Sequence, residues 1–176
     1  VGASLLAAAT GHYGIGMAAQ RRASVPHSQL SHSDRAKEGD LIARIQIPSI
    51  DLDDAVFEGV SDAVLRKGPG HMPETAPPGP STRYNNCVFA GHRDSFFRRL
   101  GQVRNGDDIL LHVEDRIDRY RVVDRRIVGP EEMELAGPTR EPRLTLVTCY
   151  PFTWVGPAPF RLVVLAKRVG GETGVR

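Results

Sequence analysis

Cysteine is scarce in this chain of 176 residues, which holds two, Cys87 and Cys149. Two thiols make neither a disulfide framework nor a four-ligand zinc site. There is no CxxC pair and no HExxH, and the histidines are spread out. No metal and no cofactor is therefore expected. A glycine-rich phosphate loop and internal repeats are also missing. The net charge is only +2, with Lys and Arg scattered apart from the pairs Arg21-Arg22, Arg98-Arg99 and Arg125-Arg126. Such pairs read as solvated faces, and no nucleic-acid partner is expected. Long regular helical patterns between strands are absent, which excludes a doubly wound fold.

The length suits one domain with a real core. Residues 1–19 are small and apolar, and Gln20-Arg21-Arg22 follows. A membrane helix needs about 20 apolar residues, so the run is marginal alone; as the C-terminal part of a truncated membrane-anchor helix, residues 1–22 make sense, an expectation that the resemblance given below strengthens. Tyr13 and Arg21-Arg22 would mark its interfacial end. A loosely packed amphipathic helix is the alternative. Residues 23–39 are polar and read as a linker, residues 40–169 as the folded domain, and residues 170–176 as a flexible Gly-rich tail.

Within the domain the pattern is one of short strands. Leu41 to Ile47 alternates and stops at Pro48. Further strands are expected at Ile50 to Phe57, Cys87 to Ala90, Asp108 to Val113, Arg119 to Val128, Arg143 to Cys149 and Phe160 to Arg168. Ser61 to Lys67 reads as a short helix capped by Ser61 and ended by Gly68-Pro69. Residues 68–86 are dense in Gly and Pro and read as a long irregular loop around His71. Ser95 to Leu100 is expected to form one helical turn. The fold class is all-β, a sandwich or closed barrel with short helices.

Thr145-Leu146-Val147-Thr148-Cys149 is an apolar strand that ends on a thiol and breaks at Pro151. A cysteine attacks only as thiolate, which a nearby cation or donor favours. A general acid must then protonate the leaving group. His92, in Ala90-Gly91-His92-Arg93-Asp94, suits that task. Arg161, in Pro159-Phe160-Arg161, suits charge on an oxyanion. The amide of Cys149 or its neighbour is a second candidate donor. Each has a plainer reading: a small buried hydrophobe for Cys149, a turn residue for His92, a carboxylate's surface partner for Arg161. Thr148 either orients substrate or Arg161, or serves β packing. His71 either lines a substrate groove or sits exposed in its loop. Ala90 is taken as a groove residue. Trp154, with Tyr150 and Phe152, is either an apolar wall beside the cysteine or barrel packing. Asp94 either orients His92 or caps the turn after it. Cys87 lies in an apolar run and reads as core. A Cys87–Cys149 disulfide stays open on sequence and would consume the proposed nucleophile.

Taken together, these segments resemble the sortases, the cell-surface cysteine transpeptidases. The resemblance rests on Thr145 to Cys149, on Ala90-Gly91-His92-Arg93-Asp94-Ser95-Phe96-Phe97, and on Ala158-Pro159-Phe160-Arg161-Leu162. Ala43-Arg44-Ile45-Gln46-Ile47-Pro48 and Gly68-Pro69-Gly70-His71-Met72-Pro73 join them. The likeness covers residues 40–168 and is nearest the class D group. It implies an eight-stranded closed β-barrel with an N-terminal membrane helix at a bacterial cell membrane, the catalytic domain being extracytoplasmic. It implies that Cys149 attacks the Thr carbonyl of an LPxTG-like sorting signal on a protein substrate. Arg161 would stabilise the oxyanion and His92 would protonate the departing amine. An amine acceptor, a cell-wall precursor or a protein Lys or N-terminus, would resolve the thioester. Cys87, Phe160 and the Pro157-Ala158-Pro159 approach depart from the family pattern. No acidic cluster matches the calcium site of some sortases. A thiol hydrolase using water and a non-catalytic binding barrel are the competing readings.

Overall fold

The computed structural model describes residues 36–79 and 85–173. The expected anchor helix at residues 1–22, and the linker up to residue 35, lie outside them. No helix among the described residues is long and apolar enough to cross a membrane.

Strand β1 (Leu41–Ile47) buries alternate side chains and ends at Pro48. Proline lacks the N–H that a ladder needs but fits the start of a helical turn. Residues Pro48–Ile50 form such a 3-10 turn. Asp51, in the left-handed region at φ 51, then reverses the chain into β2 (Leu52–Glu58), with Ile47 opposite Leu52. A short helix, α1 (Asp62–Leu65), leads to a two-residue strand, β3 (Gly70–His71). The remaining strands are β4 (Asn86–Gly91), β5 (Asp108–Val113), β6 (Arg116–Val128), β7 (Arg143–Tyr150) and β8 (Phe160–Thr173).

The eight strands close into a barrel in the order β1-β2-β3-β4-β7-β8-β6-β5, with β5 back on β1. This is the closed eight-stranded barrel that the resemblance implied. One pairing positions everything that follows. β4 and β7 run parallel, from Asn86 opposite Arg143 to Gly91 opposite Thr148. Parallel neighbours end at the same side of a sheet. β8 is antiparallel to β7 and starts where β7 stops. Three strand termini therefore meet at one place on the barrel.

Side chains alternate between the two faces of each strand. Phe89 on β4, Leu144 and Leu146 on β7, and Leu162 and Val164 on β8 point inward and join Ile45, Val56, Ile109 and Leu111 in the main core. Each such burial contributes about 1.5–3 kcal/mol before the cost of ordering the chain. Their neighbours point outward: Val88, Val147, Val163 and Leu165, with Val128 of β6, form a second apolar layer on the barrel's outer surface. Met72, Leu135 and Ala136 cover it.

Three expectations change. The Gly/Pro-rich loop contains β3, because Phe57 and Glu58 pair with Gly70 and His71. Residues 93–99 form a run of turns, and the only helical piece there is a 3-10 turn at Leu100–Gln102. Finally, β8 continues to Thr173, so most of the expected tail is strand. The long β6 supplies the partners, with Arg119 opposite Gly170 and Asp118 opposite Gly171.

Candidate active site

Cys149 is the last outward-facing residue of β7 before Pro151, and it is half-buried. Arg161 stands directly opposite it on β8. Opposed residues on antiparallel strands have Cβ atoms about 4.5–5.5 Å apart and share a face. On the other side, the parallel ladder of β4 and β7 ends at Gly91 opposite Thr148. β4 stops there, and His92 is the next residue of the chain as it leaves the sheet. Cys149 and Arg161 thus form one row across β7 and β8, and the His92 segment begins at the neighbouring strand end. Two features fix the strand end beneath them. The Thr148 hydroxyl donates to the Gly91 carbonyl at 2.7 Å. Gly91 lacks the Cβ that would approach the Phe97 ring to 2.6 Å, which lets that ring seal the barrel mouth as the chain turns out of β4.

The row continues past Arg161 to Val128, its partner on β6. There the surface opens into a depression of about 590 Å³ lined by Val128, Ile127, Leu135 and the carboxylates Glu131, Glu132 and Glu134, with Arg126. An extended chain lying over this row would meet the reactive side chains at one end and an apolar floor with an acidic rim at the other.

Arg161 is partly engaged already. Its Nη1 donates to the carbonyls of Ala158 at 3.1 Å and Phe160 at 2.8 Å. It can serve a carbonyl oxyanion formed by attack of the thiol only through its other nitrogens. Cys87 points inward, on the opposite face from Cys149, and both thiols are free. Burial, with the Glu58 carboxylate as a lesser cause, pushes the Cys87 thiol well above its ordinary range. Cys87 is therefore a core residue and no rival nucleophile.

Two other candidates occupy different places from those expected. His71 does not line a groove: it is 3% exposed. Its Nδ1 lies 2.9 Å from Glu58 Oε2 and its Nε2 lies 2.9 Å from the Ala76 carbonyl. Its ring meets Phe89 edge-on. The pair ties β3 to β2 and to the turn after it. Thr148 faces inward, so its hydroxyl braces β4 and does not orient substrate or Arg161. Ala90 does lie on the outer face, in register with Val147. Trp154 is half exposed in the β7–β8 connection, with its indole N–H on the Pro157 carbonyl at 3.0 Å. Among the described residues, no three His, Cys, Asp or Glu side chains are grouped to hold a metal ion.

The sequence profile of the sortase domain family matches residues 45–169. The chain belongs to the sortase family. It is 33% identical over 138 residues to Sortase D of Bacillus subtilis, which covers 78% of this chain and 68% of that protein. Sortase A of Listeria monocytogenes is 29% identical over 113 residues, 62% of this chain and 49% of that protein. The solved structure of Sortase A from Corynebacterium diphtheriae superposes with a TM-score of 0.69 at 32% identity, covering 77% of this chain and 63% of that one. The Sortase D5 transpeptidase of Clostridium perfringens gives a TM-score of 0.72 over 89% of this chain and 99% of that one, and at 24% identity it speaks to the barrel alone. Family membership supports an enzyme with a transpeptidase role in general.

Two features of this sortase barrel leave no local mark in the sequence. Val128 and Leu135 border a depression assembled from separate segments. Arg93 reaches main-chain carbonyls far along the chain.

Proposed function

We propose that this chain is the catalytic part of a membrane-anchored cysteine transpeptidase that cleaves an LPxTG-like sorting signal after its Thr. The observation that supports the reading is Cys149 opposite Arg161 on β7 and β8, with His92 next in the chain after the β4 end that pairs with Thr148. The Cys149 thiolate attacks the Thr carbonyl carbon. The C–O π pair moves onto oxygen, and Arg161 with a main-chain amide stabilises that charge. Collapse of the tetrahedral intermediate expels the amine, to which His92 gives its proton. A thioester on Cys149 remains. An amine acceptor, on a cell-wall precursor or a protein Lys or N-terminus, attacks it while His92 takes the acceptor's proton, and the thiolate is regenerated.

In this reading the bound signal runs from Cys149 past Val128 toward Leu135, so that its apolar residues lie on the second apolar layer. Residues 1–22 hold the enzyme at a bacterial membrane with the barrel on the extracytoplasmic side. A thiol opposite a guanidinium, with an imidazole following the neighbouring strand end, speaks against a non-catalytic binding barrel, which has no need for that combination.

The decisive experiment incubates the protein with a sorting-signal peptide library and captures the acyl-enzyme by mass spectrometry. The expected result is a mass addition on Cys149 equal to the peptide through its Thr, transferred to an added amine. Cleavage that persists in Cys149→Ala would overturn the nucleophile. Release only as free acid at saturating amine would assign a hydrolase instead.

A further inference from the structure

Arg93 follows the proposed acid–base residue, yet its guanidinium is spent on a different segment. Its Nη2 donates to the carbonyls of Trp154 and Gly156, both at 2.9 Å. These belong to the β7–β8 connection, whose two ends are Cys149 and Arg161. The connection touches the body of the barrel near its start as well. Phe152 packs on Gly101, where a Cβ would come within 2.7 Å of the ring, and Tyr150 meets Phe152 edge-on. Beyond Phe152, Arg93 is the anchor. Past it the chain reaches Ala158, whose carbonyl holds Arg161. Between the two latched carbonyls the side chains form an exposed tip: Trp154 is 50% and Val155 95% exposed.

The latch is also incomplete. Arg93 Nη1 is buried and finds no acceptor among the described residues. A buried donor without a partner lowers stability relative to an apolar group of the same shape. Packing alone therefore gives no reason for an arginine here. We propose that Arg93 is a positioning residue for the peptide substrate: it latches the connection between Cys149 and Arg161 to the His92 segment, and so sets the Trp154–Val155 tip as a wall of the groove. The substrate part rests on the function proposed above. The latch itself does not.

Trp154 is the single tryptophan of the chain, so its fluorescence reads the tip alone. The test uses the full chain as wild type, Arg93→Met and Arg93→Lys. For Arg93→Met the expectation is an undiminished melting temperature and easier quenching of Trp154 by acrylamide. KM for a sorting-signal peptide should rise about tenfold while kcat changes far less, the mark of lost substrate positioning with the chemistry intact. Arg93→Lys, with one ammonium for two carbonyls, should fall between. Unchanged quenching in Arg93→Met overturns the latch. A lowered melting temperature with unchanged KM assigns Arg93 to packing and also overturns the proposal, as does easier quenching with unchanged KM. Should the wild type acylate no peptide at all, the proposed function fails and the substrate role with it, while the quenching comparison still decides the latch.

Discussion

At the end of the barrel away from Cys149, the carboxylate of Asp118 has no solvent exposure and is fully served. Arg116 Nη2 reaches both its oxygens at 2.7 Å, and Arg168 adds Nη2 at 2.6 Å and Nε at 3.2 Å. At the Cys149 end, Arg93 keeps a buried nitrogen without an acceptor among the described residues, and Arg161 leans on the carbonyls of its own loop. Both regions lie on the same long strands β6 and β8 or border them. One end closes the barrel with a saturated ionic plug. The other leaves one buried guanidinium nitrogen without a partner among the described residues, on the residue that follows His92. A buried donor left unmet where the other described buried side chains are satisfied calls for a functional reason.

That contrast breaks most visibly by removing the thiol. Cys149→Ala should cost about 10⁴-fold or more in peptide acylation, because no other group supplies the electron pair. Thermal unfolding should barely change, since a half-buried thiol becomes a methyl. His92→Ala should lower kcat/KM by about 10²–10⁴-fold, the usual worth of a placed acid–base group. Asp118→Asn should show the reverse pattern. It strips the charge that two guanidinium groups share, and unfolding in denaturant should report a loss of about 3 kcal/mol. Both arginines are about 30% exposed and can turn toward water, which keeps the loss at the lower end for a broken buried pair. Activity per folded molecule should hold. A fall in kcat/KM in Asp118→Asn that matches that of His92→Ala would show the two ends to be coupled and erase the distinction.

The strands were legible because their alternation is clean and because Pro48 and Pro151 stop two of them. β1 and β5 fall where the pattern puts them. The parallel pairing of β4 with β7 was not legible: residues 92–142 separate the two strands, and periodicity carries no information across such a crossover. Yet that pairing is what brings the chain leading into His92 to the Cys149 end of β7. The identity of the reactive residues came instead from three segments in a family's order. The inward face of Thr148 was within reach of parity, since its neighbour Cys149 must face out if it reacts. His71 misled for a different reason. Its Gly/Pro-rich surroundings mark a loop, but the partner that buries it, Glu58, lies 13 residues earlier on another strand. Arg93 gave no signal at all, because main-chain carbonyls 61 and 63 residues away leave no trace in side-chain chemistry.

Thr148 sharpens the comparison because it belongs to both sides of it. It is a satisfied buried group, like Asp118, but it sits directly under the reactive row. Thr148→Val keeps the shape and removes the 2.7 Å bond to the Gly91 carbonyl. The expected cost is about 1 kcal/mol in denaturant unfolding, with the carbonyl left unserved. Since that bond holds β4 against β7, kcat should also fall by a few fold while KM stays. A stability loss with unchanged kcat would mean that strand pairing alone aligns His92 with Cys149.

The smallest effect is expected on the outer face between β5 and β6. Asp108 accepts hydrogen bonds from Arg119 and from Arg121, the latter at 3.0 and 3.1 Å. The Arg119 hydrogen bond, then that of Arg121, holds the Asp108 carboxyl below its ordinary range. A folded-state pKa below the unfolded one stabilises the fold above the unfolded value, and the benefit is lost as pH falls through the folded one. The groups are open to solvent and salt, so Asp108→Asn should cost only about 0.5 kcal/mol at neutral pH. The gap between wild type and variant should close below about pH 4, where an unfolded aspartate takes up its proton. It should also shrink in high salt, with peptide acylation unchanged throughout. A gap that persists at low pH would mean that Asp108 acts through shape or neutral hydrogen bonding, and this face would then resemble the saturated plug at Asp118 more than an ordinary solvated surface.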